Sequence, residues 1–151
     1  MRLSKGQVNF DRFIVPYRIY GEGEQLLVCV SGVQQTMASW RTVVSYFAHD
    51  YRLLLFDMPG QGRSQILSGP AEVSIDEQVY VLRQILLDQD NPIKPIVIGA
   101  SWGGIVVAIL AARHPDLVDK IVLASFSSRV GEKLLTVISV EPLLTNKRTG
   151  T

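Results

Sequence analysis

Ile98-Gly99-Ala100-Ser101-Trp102-Gly103-Gly104 is the stretch on which the reading of this chain turns. Before it, Ile96 to Gly99 reads as a short buried strand. After it, Trp102 to Arg113 is a nearly all-apolar helix, closed by His114-Pro115. Between them lies Gly-x-Ser-x-Gly. A strand that turns sharply into a helix leaves no room for a Cβ on either side of the turn, which suits the flanking glycines. The turn lifts the hydroxyl of Ser101 above the carboxyl edge of the sheet. The helix behind it offers unpaired amides and a positive dipole end to a developing negative oxygen. Gly103 and Gly104 let the helix approach the neighbouring strands. The letters alone are a weak signal, and their position between strand and helix carries the argument. The competing reading is a tight turn in another α/β fold, with serine chosen for its small size.

Working outward, apolar runs alternate with helical segments. Gln7 to Val15 and Tyr17 to Tyr20 read as an opening strand pair, with a turn at Gly21-Glu22-Gly23. Leu26 to Val30 and Tyr51 to Phe56 read as buried strands, and Ile121 to Ser125 as a fourth central one. Met37 to Ala48 fits a helix with Trp40, Val43, Val44 and Phe47 on one face. Asp57 to Val73 reads as a loop. Ser74-Ile75-Asp76-Glu77 is a capping box that opens a helix to about Asp88, with Val79, Leu82, Ile85 and Leu86 inward. Continuous apolar strands separated by helices imply a predominantly parallel sheet with helices on both faces. The all-apolar segment Ile105 to Leu110 is expected to be deeply buried.

The chain has 151 residues, 47% hydrophobic and 19% charged, with net charge +1. That is one domain's length and a globular composition. No basic field points to nucleic acid or an anionic membrane. No apolar run reaches the ~20 residues of a membrane span, and the first ten residues lack a signal peptide's apolar core. A single cysteine, Cys29, excludes an internal disulfide framework and a multi-cysteine metal site, and it reads as core packing. Cytoplasm is the expected compartment. No metal and no organic cofactor is implied.

Acyl chemistry at Ser101 needs a second backbone donor, from the loop after an earlier central strand. Here that loop is Ser31-Gly32-Val33-Gln34-Gln35. Val33 is the candidate donor, paired with the amide of Trp102, and Gly32 permits the turn that aims it. An ordinary strand-end glycine turn is the alternative. The order Val-Ser-Gly-Val, then Leu-Phe-Asp-Met-Pro-Gly-Gln-Gly-Arg-Ser, then Gly-Ala-Ser-Trp-Gly-Gly resembles the front part of the α/β-hydrolase superfamily. The resemblance runs from about Val15 to Ser127. The family's Asp-x-x-Gly-x-Gly-x-Ser matches Asp57, Gly60, Gly62 and Ser64. Ser31-Gly32 departs from the His-Gly of many members, without touching the backbone role of Val33. Ala-Ser-Trp-Gly-Gly with Phe-Asp-Met-Pro is similar to rhamnolipid-type hydroxyacyl acyltransferases. The resemblance implies that Asp57 supports its loop, together with Arg63 and Ser64, because the family's triad acid follows the serine in the chain.

A serine also needs a base, and the base an orienting acid. The sequence holds two histidines, His49 and His114. A twelve-residue helix would carry His114 on the order of 18 Å from Ser101. His114 reads instead as a cation at a helix end. Asp116 and Asp119 precede the fourth central strand, on the far edge of the sheet. Glu132 and Glu141 fall in a helical stretch, Glu132 to Val140, and a tail. The triad thus reads as incomplete and the fold as cut short at the C-terminus. Residues 1–128 are the front of the core, and 129–151 the start of a lid or an aberrant tail. No strand is expected after Ser128, so the edge of Ile121 to Ser125 is expected to stay open to self-association. The expected function is a serine esterase or acyl-transfer enzyme acting on a small-molecule ester or acyl substrate. Trp102, Val33, Gln34 and Met58 would line its acyl pocket. The alternative is an inactive fragment that serves as a binding module.

Overall fold

The computed structural model describes residues 1–126 and 133–139. The chain begins with a hairpin of β1 (Leu3–Phe10) and β2 (Phe13–Tyr20), paired from Leu3↔Tyr20 to Phe10↔Phe13. The turn is Asp11-Arg12, with Asp11 at φ 52. This differs from the break expected at Pro16. Pro16 stays inside β2 because its missing N–H falls in a gap: β4 (Arg52–Phe56) pairs β2 only at Tyr17 to Tyr20, and β5 (Gln65–Ile66) only at Phe13 and Ile14.

The centre of the sheet is parallel. β3 (Leu26–Val30) lies between β4 and β6 (Ile96–Ala100), and β6 pairs in turn with β7 (Lys120–Phe126). All five residues of β3 are buried, as a strand covered on both faces requires. One face packs on α2 (Ile75–Leu87) and α3 (Trp102–Arg113), around Val28, Val30, Leu54, Phe56, Leu82, Ile85, Val106 and Leu110. The other carries α1 (Arg41–Phe47), entered through a 3-10 turn at Met37–Trp40, over Leu27, Cys29, Leu53 and Leu55. The chain is therefore α/β, with a mixed, centrally parallel sheet and helices on both faces.

The ends of the helices follow local chemistry. The Ser74 hydroxyl accepts from the Glu77 amide at 3.1 Å, and Glu77 Oε2 accepts from the Ser74 amide at 2.8 Å. Arg12, at the β1–β2 turn, forks onto the same Glu77 carboxylate at 3.0 and 3.2 Å and donates to the carbonyls of Ser68, Pro70 and Glu72. This guanidinium, with the Ser74 amide, holds the Glu77 carboxyl below the usual carboxylate range. Arg12 thereby fixes the loop before α2, a role that sequence spacing does not disclose.

Three expectations are overturned. Glu132 to Val140 is not helix: Lys133–Ser139 forms β8, antiparallel to β7 along its whole length, from Phe126↔Lys133 to Lys120↔Ser139. Thr136, Val137 and Ile138 are β-branched and suit a strand, and the open edge of β7 supplies their partner. The β7 edge is therefore covered, and among the described residues the sheet ends on β8. The helical core segment is also less buried than expected, with Ile105 46% exposed, because α3 turns only the face of Val106, Val107 and Leu110 to the sheet. Phe47 is likewise exposed. Glu141 and most of 129–151 lie outside the described residues, and no helix among the described residues is long and apolar enough to cross a membrane.

Burial pushes the Cys29 thiol up to about 12. The native chain should resist 5,5′-dithiobis(2-nitrobenzoate) at pH 8 and react with one equivalent only after denaturation. A proton held more tightly in the folded state means stability that is present below the ordinary thiol value and declines as pH rises from about 9 towards 12. Urea midpoints across that range should fall faster for the wild type than for Cys29→Ala.

Candidate active site at the β6–α3 turn

Ser101 joins β6 to α3 at φ 54, ψ −121. A non-glycine residue there is costly and persists only where its surroundings enforce it. Here its amide donates to Ala124 O at 2.8 Å and its carbonyl accepts from Gly104 at 2.9 Å, so both sides of the turn are pinned. The hydroxyl does not cap α3, and the residue is exposed at the carboxyl edge of the parallel strands.

The glycines divide sharply in their reasons. A Cβ on Gly103 would stand 2.3 Å from Val30 O and 2.7 Å from Ser31 O. One on Gly99 would stand 2.6 Å from Gly103 O and from the Gly104 backbone. Gly104 is different: its nearest atoms would be Gly99 O at 3.5 Å and Leu123 at 3.7 Å, an ordinary contact. Gly32 approaches the serine itself, with Ser101 Cβ at 3.2 Å from where its own Cβ would be. The end of β3 is thereby laid against the Ser101 turn.

Gly32 to Gln35 closes on the bond from Gln35 N to Gly32 O at 3.2 Å, with Gln34 at φ 61. That is a type II turn, with Val33 at its second position. The positive φ thus falls on Gln34, where sequence reasoning looked to Gly32. Three further bonds steady this loop, none of them anticipated. Gln35 Oε1 accepts from Gly32 N at 3.2 Å. The buried Ser31 hydroxyl accepts from Trp40 Nε1 at 2.8 Å. Asp57 Oδ1 accepts from Met37 N at 2.8 Å. Asp57 is 2% exposed, and its second oxygen accepts from Arg63 N at 3.0 Å. Ser64 Oγ donates to Asp57 O at 2.5 Å. Asp57 therefore braces two loops.

Among the described residues no hydrogen bond uses the N–H of Val33 or of Trp102. Both residues line one cleft of about 350 Å³, with Met58, Gln61, Val73 and Gln78. Trp102 Nε1 donates to Gln78 Oε1 at 2.9 Å, which fixes the indole against α2. Gln34, grouped with these residues from sequence, does not line the cleft. The two histidines stay apart from it. β4 and β7 run parallel to β6, so His49, before β4, and His114, before β7, lie at the edge opposite Ser101. Asp116 and Asp119 share that edge, where Asp119 N bonds Pro95 O at 2.9 Å. Among the described residues no three His, Cys, Asp or Glu side chains gather as a metal site.

The sequence profile of the alpha/beta hydrolase fold family matches residues 25–138, and the chain belongs to that family. It is 26% identical over 104 residues to epoxide hydrolase 4 of Mus musculus, covering 69% of this chain and 29% of that one. It is 32% identical over 111 residues to a pimeloyl-[acyl-carrier protein] methyl ester esterase of Yersinia enterocolitica, covering 74% and 40%. It is 25% identical over 126 residues to the (R)-3-hydroxydecanoyl-ACP:CoA transacylase of Pseudomonas aeruginosa, covering 79% and 41%. A thioesterase domain from the curacin biosynthetic pathway superposes with a TM-score of 0.74 at 18% identity, over 82% of this chain and 46% of that one. The chain thus spans less than half the length of these relatives.

The glycine geometry sets an expected pair of outcomes. Gly103→Ala should lose about 3 kcal/mol by overpacking against the β3 carbonyls. Gly104→Ala should be neutral or gain up to about 1 kcal/mol of helix propensity. Urea unfolding of both variants measures the contrast, and equal losses would show that the helix does not approach β3 as described.

Proposed function

We propose that the chain carries the nucleophile half of a serine esterase or acyl-transfer site, with Ser101 as the attacking residue. The observation that carries this reading is the positive-φ Ser101, exposed, not capping its helix, and followed by Trp102, whose amide, like that of Val33, has no hydrogen-bond partner among the described residues. In the proposed step Ser101 Oγ attacks an ester or thioester carbonyl, and the amides of Val33 and Trp102 receive the developing oxyanion. The alcohol or thiol leaves with a proton, and an acyl-serine remains for water or a second acceptor. The esterase and transacylase names among the relatives support this class and leave hydrolysis and transfer as alternatives. The cleft of Val33, Met58, Val73 and Trp102 would take the acyl group.

Among the described residues, neither histidine lies at the edge of Ser101. The full triad, the substrate and any activity of the whole protein are therefore part of the proposal. With no base beside it, Ser101 should be phosphonylated by a fluorophosphonate slowly but selectively, seen by peptide mass spectrometry over hours and lost in Ser101→Ala. Val33→Pro suits the second position of a type II turn and removes the N–H, with Val33→Ala as the control for the lost isopropyl group. It should slow labelling roughly 100-fold, as loss of one oxyanion donor does. Steady p-nitrophenyl ester turnover by these 151 residues should remain near background. Turnover abolished by both Ser101→Ala and His114→Ala would make His114 the base and overturn the assignment of edges.

A further inference from the structure

A second cleft, of about 590 Å³, lies on the α1 side of the sheet and shares the 57–63 loop with the cleft of Val33 and Trp102. Arg18, Arg41 and Arg63 all line it, with Tyr20, Thr36 and Asp57. Arg18 is the anomaly. It sits on β2 in register with Leu55, on the sheet face whose other residues join the apolar cluster around Leu53 and Leu55. A half-buried guanidinium at such a place ordinarily has a carboxylate partner. Among the described residues, neither Arg18 nor Arg41 nor the side chain of Arg63 makes an ion pair or a hydrogen bond; the ion pairs are Arg12–Glu77, Arg113–Asp76 and Lys120–Asp119. The one acid of the lining, Asp57, is spent on the amides of Met37 and Arg63. Three guanidinium groups in a cleft with low-dielectric walls focus a positive potential that the net charge of +1 does not suggest.

We infer that this cleft is a binding site for a phosphate or diphosphate group, held by the guanidinium forks of Arg18, Arg41 and Arg63. Arginine suits this task because its planar fork matches phosphate oxygens two at a time, whereas lysine offers a point charge. The hydroxyls of Thr36 and Tyr20 are neutral donors on the same wall. The site does not depend on Ser101 as nucleophile, and either assignment can fail without the other.

Calorimetric titration of inorganic pyrophosphate into the chain at low ionic strength tests it, with sodium chloride of matched ionic strength as the blank. Saturable one-to-one binding is expected. Arg18→Gln, Arg41→Gln and Arg63→Gln should each weaken it roughly ten-fold, the effect of losing one charge-assisted hydrogen bond. Arg113→Gln, which keeps the cleft intact, should leave it unchanged. Arg41 and Arg63 are exposed and unpaired, so their variants should fold even if Arg18→Gln does not. Lysine at position 41 should restore only part of the lost affinity. Heat that matches the chloride blank, or affinity as strong in the double variant Arg41→Gln/Arg63→Gln as in the wild type, would overturn the inference.

Discussion

Everything at the carboxyl edge of this sheet depends on one backbone-to-backbone approach. The first turn of α3 rests directly on the last carbonyls of β3, with Gly103 against Val30 O and Ser31 O. Side chains normally keep a helix about 10 Å from a sheet. Here glycine removes the spacer, and the helix start closes on the strand ends. Ser101 is then forced into its positive-φ corner, since β6 arrives and α3 departs within one residue. The same approach lays Gly32 against Ser101 and so sets the β3 loop beside the serine. An added methyl at Gly103 would push these parts away from one another together. One at Gly104 would meet only ordinary contacts.

Polar bonds do for the loops what apolar burial does for the sheet. Asp57 is buried, no cation among the described residues pairs with it, and two backbone amides from separate loops satisfy it. Ionised carboxylates tolerate burial when hydrogen-bonded in this way, and the loops become rigid in return. Arg12 works similarly at the other end of the 57–74 segment, tying three carbonyls and Glu77 to the first hairpin. Both arrangements act on the walls of a cleft: Asp57 lines the arginine cleft and opens the loop whose Met58 to Gln61 line the cleft of Val33 and Trp102, while Arg12 seats α2, which carries Gln78 to Trp102. The two clefts thus share a wall whose shape is set by hydrogen bonds.

Much of the framework was legible along the chain. The period of the apolar runs located β3, β4, β6, β7, α2 and α3, because continuous apolar strands and a capped amphipathic helix leave strong local signals. Gly-x-Ser-x-Gly announced the serine turn, and the position of Asp57 announced a bracing acid. Errors fell where local propensity is ambiguous. Lys133–Ser139 has the apolar content of either a helix or a strand, and only the waiting edge of β7 decides it. Asp11-Arg12 sits inside what reads as one long strand, and the hairpin register is what bends it.

The sequence by itself determined the α/β class, the order of the central strands and helices, the Gly-x-Ser-x-Gly turn and the absence of a histidine near it in the chain. Those are local facts, written in spacing and side-chain type. Only the tertiary structure decided which residues meet: Gly32 with Ser101, Gln34 in the strained turn position, Ser31 with Trp40, and Arg18, Arg41 and Arg63 around one cleft. These contacts join residues as far apart as Arg18 and Arg63, or Gly32 and Ser101. Such pairs are set by sheet register and helix approach, and neither leaves a periodic trace in the chain.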